Sequence, residues 1–276
     1  MNEEFEKKLI KDLEKTGFVS EMQAVKIFHS LGWDAKLGKG YFDRDENITR
    51  EIDLSAYYPV NLKYKDSVCV CSFFNIIAEI KKAEQPWIVF RSHLHPMAQF
   101  CAWNNITTSI NLPEHPTKLT AFMSKSSLLI SQRWEGTGVH HAFKDPSAPS
   151  QWYKAFTSVC KAAEDECEAN TTEGEKISRD ILAEPTEFSF FQPVVILDGT
   201  LIAAELSNSG KIVLEEVTSA PFTFEFKTRN YSRSSYRVDL VTMDGLEAYL
   251  HLSQQRHTDI LEGFRKYIPY PLEEEA

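Results

Sequence analysis

The sequence predicts an α/β fold: a central mixed β-sheet behind two leading helices, elaborated by a C-terminal β-meander and a long terminal helix. Three observations point there. Two helical patterns precede the first strand, short alternating segments begin at Trp33, and a second group of strands punctuated by Asp-Gly and Ser-Gly turns leads into a closing helix.

The first helix is expected over residues 3–14, with Phe5, Leu9 and Leu13 on one face and Gly17 behind it. Ser20 followed by Gln23 has the spacing of a capping box, and Met22, Val25, Phe28 and Leu31 carry a second helix up to Gly32. Strands are expected at 35–41, 50–57, 68–81 and 87–90. In the second of these, Ile52, Leu54 and Ala56 alternate with Glu51, Asp53 and Ser55; in the third, Ile76, Ala78 and Ile80 alternate with Ile77, Glu79 and Lys81. Residues 93–149 carry one strand pattern, at 126–131. A helix at 151–168 follows, and the polar stretch 169–187 reads as a mobile loop or a linker. Strands at 190–197, 201–206 and 211–217 form the meander, 222–228 and 236–242 are two more, and residues 244–267 are the closing helix. One composite domain is expected, residues 1–105 holding the chemistry and 106–276 an elaborating α+β half.

At 276 residues the chain can bury a sizeable core, and 42% hydrophobic with 25% charged residues excludes disordered and fibrous classes. Thirty Lys and Arg against forty Asp and Glu leave a net charge of −10, so a polyanionic partner must be met by a local basic patch. The start has no basic n-region with an apolar h-region, and no apolar run is long enough for a bilayer, so a cytoplasmic protein without a membrane partner is expected. Five cysteines at irregular spacings read as reduced thiols rather than a disulfide framework.

Glu-x-Lys occurs three times: Glu6 with Lys8, Glu79 with Lys81, and Glu225 with Lys227. The first lies in an amphipathic helix, and the nearest acid before the third, Asp198, sits in a turn. Only the middle one follows a strand with an acid on its polar face, Asp53. Strand periodicity puts Glu79 and Lys81 side by side, and pairing the two strands brings Asp53 to them. Two adjacent carboxylates repel unless a cation lies between them, and Mg²⁺ favours one or two carboxylates with water and phosphate oxygens. Such an ion would polarise a phosphodiester, with Lys81 placed to orient or deprotonate the attacking water or to neutralise transition-state charge. Glu21, with Ala24, Val25 and Phe28 at i+3, i+4 and i+7, projects from the apolar face of its helix; it is a fourth acid for this site or an acid serving the helix dipole.

The order of a helix with an inward Glu21, a strand Arg50-Glu51-Ile52-Asp53-Leu54-Ser55-Ala56 and a strand Ile77-Ala78-Glu79-Ile80-Lys81-Lys82 resembles the PD-(D/E)xK, or restriction-endonuclease-like, nuclease superfamily. The likeness covers roughly the first third of the chain. It implies an αβββαβ core and Mg²⁺- or Mn²⁺-dependent endonuclease activity on DNA more than RNA, with Asp53 and Glu79 as metal ligands, Lys81 at the nucleophilic water and Glu21 as an accessory acid. It also implies a role in defence against foreign DNA, as a homodimer or within a defence complex. The proline that names the motif is replaced by Ile52, as in many members. The rival expectation is a catalytically inactive module of the same fold that binds a protein or nucleic-acid partner.

Arg50 and Lys82 flank the trio as phosphate contacts or as surface ion pairs, and Glu51, on the face of Asp53, is a neighbour of the ligand or the ligand itself. Arg229, Arg233 and Arg237, with Lys227, Tyr231 and Tyr236, form a basic and aromatic cluster that reads as a nucleic-acid contact or a solvated hairpin. His93, His95, His140, His141 and Cys101 match no zinc spacing, the five tryptophans form no stripe, and Gly-x-Ser-x-Gly and Gly-rich phosphate loops are absent.

Overall fold

Residues 1–64, 67–93, 106–110, 134–144, 150–180, 186–231 and 233–264 are described by a computed structural model. Helices α1 (Glu3–Leu13) and α2 (Phe18–Ser30) lead into β1 (Asp34–Asp43), β2 (Ile48–Tyr64), β3 (Ser67–Lys82) and β4 (Trp87–His93). Then come β5 (Ile106–Ile110), β6 (Trp134–His141), α3 (Gln151–Asp180), β7 (Thr186–Asp198), β8 (Leu201–Leu206), β9 (Ile212–Glu216), β10 (Ser219–Glu225), β11 (Ser235–Thr242) and α4 (Leu246–Phe264).

The strands form one mixed sheet in the order β1-β2-β3-β7-β11-β10-β6-β4-β8-β9, with β5 added to β7. β1, β2 and β3 run antiparallel in succession, and β7 lies parallel to both β3 and β11. The central strands are apolar on both faces because helices cover both. On one face Ala24 and Phe28 of α2 and Leu246, Leu250 and Leu261 of α4 pack on Leu54, Ile76, Ala78, Val194 and Ile196. On the other, Ala155, Phe156, Val159 and Ala163 of α3 pack on Ile77, Val195, Leu197, Phe222 and Leu240. The i, i+4 and i, i+3, i+7 spacings of these helical residues are what give each helix one apolar stripe. None of the described helices is long and apolar enough to cross a membrane.

β3 leads through Ala83 to β4 and β7 leads through Gly199 to β8, and the two connections are joined by Ala83 N–H to Asp198 O and Trp87 N–H to Thr200 O, both 2.9 Å. Ala83 O would lie 2.6 Å from a Cβ at position 199, so the close approach requires glycine there.

Several expectations are corrected. Residues 190–217 do not form a meander: β7 is a central strand, and β8 pairs with β4 and β9. The Asp-Gly turn carries the chain into β8, which pairs with β4, rather than back along β7. The stretch 169–187 is not a loop over its first part, since α3 runs to Asp180; residues 181–185 lie outside the described set. A helix already held by its packed first half propagates through Glu, Lys and Arg at little cost. Ser20 caps nothing; α2 starts at Phe18, and the Ser20 hydroxyl donates to Asp198 instead. β5 and β6 lie in the region that carried only the pattern at 126–131, and that pattern falls outside the described residues.

Candidate active site

β2 leaves the β3 ladder at the residue that matters. The pairing ends at Leu54 opposite Ala78, and the next acceptor for β3 is not a β2 carbonyl but the Asp53 side chain, whose Oδ2 takes the Ile80 N–H at 2.7 Å. Leu54 and Ile52 then fall in opposite cores, so the simple alternation read along this strand breaks at Asp53. Beside it on β1, Gly38 has φ +67°, and Glu51 Oε1 would lie 2.5 Å from a Cβ at that position. The positive φ is what favours glycine there, since the Glu51 carboxylate can swing aside.

Glu79 and Lys81 project side by side from β3, and Lys81 Nζ ion-pairs with Glu79 and lies 3.4 Å from Asp53 Oδ2. The expected trio therefore converges, with the ammonium seated between two carboxylates. Glu79 is only 8% exposed. Burial raises its pKa; Lys81 opposes the shift and Asp53 adds to it. Burial works against the Lys81 charge, yet Glu79 and Asp53 outweigh it and raise the ammonium pKa. Glu21 stands close enough to feel the group: burial and then Asp53 raise its pKa, against Lys81. It is a protonatable acid near the trio.

No group of three or more His, Cys, Asp and Glu side chains set to hold a metal occurs among the described residues. The donor set fits a hard divalent cation that takes two carboxylates and fills its shell with water or phosphate oxygens, and the Lys81 ammonium already marks where positive charge is favourable. Asp53 and Glu79 are the residues that would hold it.

A cavity of about 520 Å³ opens beside Glu79 and Lys81, walled by Tyr41, Arg50, Glu51, Lys82, Gln151, Lys154 and Ser158. It adjoins a second, of about 550 Å³, which shares Lys82 and Gln151 and adds Lys15, His141 and Lys144. Lys15, Lys82, Lys144 and Lys154 have no ion pair among the described residues, and Lys82 donates to Glu14 O. These four lysines line the groove together with Glu14, Glu51 and Glu84. Arg50 is at its wall but tied to Asp43 and Glu46.

The 227–237 cluster does not join these lysines. Arg237 and Tyr236 are buried, Arg237 Nε pairs with Asp239 at 2.8 Å, and Tyr231 packs beneath Arg44 and Lys161. Arg229 and Arg233 do not line the groove. In the strand Ser235–Thr242 every second residue faces a core whichever face it takes, which draws Arg237 inward.

The reading from sequence missed Tyr41, Gln151, Lys154 and Ser158. The last three are a polar stripe at i, i+3, i+7 on a helix whose opposite face is apolar, a signal that marks a face without saying what it meets. Tyr41 is buried at the cavity wall; burial, partly offset by a hydrogen bond with Ser158, pushes its phenol up to about 12. His141 stacks on Trp87 at 4.7 Å as a packed histidine, while His95 and Cys101 lie outside the described residues. No family model matches this chain, and no curated protein or solved structure matches it either.

Proposed function

We propose that this chain is a metal-dependent endonuclease of the PD-(D/E)xK kind that hydrolyses phosphodiester bonds in DNA. One observation carries the reading: Asp53 meets Glu79 and Lys81 where those two line a groove shared with lysines, and Glu21 lies within electrostatic reach of Asp53 and Lys81. Further support comes from the order of elements. α2, β1, β2 and β3, then α3 and β7 with β7 parallel to β3, follow one another in the order αβββαβ that the resemblance implies, with β4 to β6 between β3 and α3.

Asp53 and Glu79 would hold Mg²⁺ or Mn²⁺, which when bound supplies Lewis acidity to the phosphodiester and acidifies a water. Asp53 is oriented by the Ile80 N–H, and its aim does not depend on Lys81. Lys81, released from bridging the carboxylates, donates to a phosphate oxygen or orients the attacking water. Glu21, with its raised pKa, accepts and returns a proton. Lys15, Lys82, Lys144 and Lys154 counter the phosphate charges that a −10 chain would otherwise repel.

The test is a metal-supplemented cleavage assay on single- and double-stranded DNA and RNA. Asp53→Ala and Lys81→Ala are each expected to cut at least ~100-fold more slowly than the parent while keeping its circular dichroism. Undiminished cleavage in either variant removes the site assignment. No cleavage of any nucleic acid by the parent, together with no heat of Mg²⁺ or Mn²⁺ binding, would mean a nuclease-fold module that binds without cutting.

A further inference from the structure

At the far end of the sheet from β1, the alternation of β4, β8 and β9 is unusual. Their inward residues Trp87, Val89, Leu201 and Ala203 are buried, as a core-facing side requires. An antiparallel edge that turns its other side to water is expected to be polar there. Here the outward positions, aligned by the Phe90 to Ala204, Ala204 to Leu214 and Leu206 to Ile212 pairings, are apolar. Phe90 is 49% exposed, Leu206 71%, Ile212 73% and Leu214 58%. β9 is exposed at all five positions and pairs only with β8 among the described residues. An open, apolar edge of this kind is a template for another strand.

Hydrogen-bond parity and charge together indicate which strand. Ser207 N–H bonds to Lys211 O and Val217 N–H to Leu201 O, so the odd-numbered residues of β9 turn their backbone groups to β8. The N–H and C=O groups of Ile212, Leu214 and Glu216 therefore face outward. An antiparallel partner must place its own outward groups opposite these. A second copy of β9, related by a two-fold axis at Val213, does so: Ile212 and Leu214 exchange backbone hydrogen bonds with Leu214 and Ile212 of the other copy. In the same register Lys211 falls opposite Glu215 twice, in the close, non-hydrogen-bonded pairs where opposite charges gain most; Glu215 already accepts from Arg91 at 2.6 Å, and its exposed carboxylate has a second oxygen for Lys211. Moving the axis to Leu214 keeps the parity but sets Glu215 against Val213 and Glu216 against Ile212. Charge selects the first register.

We propose that this chain forms a two-fold symmetric dimer by antiparallel pairing of β9 with β9 of a second copy, extending one sheet through both molecules. The contact is isologous and closes on itself, and it leaves no free β9 edge for further growth. It places the two lysine-lined grooves in one assembly, and it does not depend on what those grooves bind.

Sedimentation equilibrium of the full chain, up to about 100 μM, tests it. The parent is expected to be a dimer. Lys211→Glu should weaken association about tenfold by reversing two cross-strand pairs, and Lys211→Glu/Glu215→Lys should restore part of it, since Glu215→Lys also removes the Arg91 pair. Val213→Lys, which sets two ammonium groups on the axis, should give a monomer whose melting temperature is unchanged within a few degrees. A parent that stays monomeric, a dimer indifferent to Val213→Lys, or a double variant no tighter than Lys211→Glu overturns the proposal.

Discussion

His257 is the residue whose charge state the core decides most completely. It is fully buried against Phe74, Phe190 and Tyr58, its Nε2 meets Ser72 Oγ at 2.7 Å, and its Nδ1 has no partner. Burial lowers its pKa from 6.5 to about 4. The unfolded chain takes up a proton below pH 6.5 while the folded chain does not until about pH 4. Stability from this residue is thus complete above pH 6.5 and falls by about 3 kcal/mol as the pH drops to 4. His257→Phe is expected to lose about 1 kcal/mol at pH 7 for the Ser72 hydrogen bond, yet to lose less than the parent between pH 7 and 4. Urea denaturation at the two pH values checks it; equal pH losses in both proteins would place the acid sensitivity elsewhere. At the same scale the Asp53, Glu79 and Lys81 trio was readable, because period-2 geometry fixes neighbours along β3. Glu51 and Asp53 were not separable, since the break in β2 that sends Asp53 to the Ile80 N–H is a pairing event with no local signature.

At the scale of elements, α3 is fastened to the β1–β2 hairpin by charge. Lys161 Nζ reaches Asp43 Oδ1 at 2.8 Å and Asp45 Oδ2 at 2.9 Å, and lies 5.6 Å from the ring centroids of Phe226 and Tyr231. Both Lys161 and Asp43 are buried, and Lys161 lowers the Asp43 pKa against the burial that would raise it. Lys39 with Glu166 and Arg44 with Glu168 repeat the attachment, each pairing one largely buried side chain with one more exposed. Lys161→Ala leaves the buried Asp43 with Arg50 Nε at 3.3 Å as its remaining cation and is expected to cost about 2 kcal/mol, with Asp43→Asn/Lys161→Met recovering much of it. Guanidinium unfolding gives both values. A loss below about 0.5 kcal/mol would show that Arg50 alone satisfies Asp43. The helix and strand patterns were legible for most elements. The extension of α3 to Asp180 and the capping of α2 were not, because each is settled by what the element packs against.

For the whole molecule, the two cores share residues from both ends of the chain. Leu54 and Ile76 pack with Val194 and Leu250 on one face, and Ile52 and Ile77 with Phe156 and Leu240 on the other. β3 has β7 as its parallel neighbour along thirteen residue pairs, so removing residues beyond 105 strips the motif strand of one edge, of the α3 layer and of the α4 part of the other layer, leaving only α2 over it. Residues 1–105 expressed alone are therefore expected to lack a cooperative thermal transition. A folded 1–105 fragment that binds Mg²⁺ would instead divide the chain into two units.

The sequence by itself determined the α/β class, the two leading helices, the strands of the site and the trio on them, since all of these follow from local periodicity. Tertiary structure alone decided that β7 is central rather than the start of a meander, and that Arg237 is a core ion pair. It also decided that lysines at 15, 82, 144 and 154 come together along one groove. Strand partners and distant side chains are chosen by which faces can be buried together, a property of the assembled sheet that no window of the chain contains.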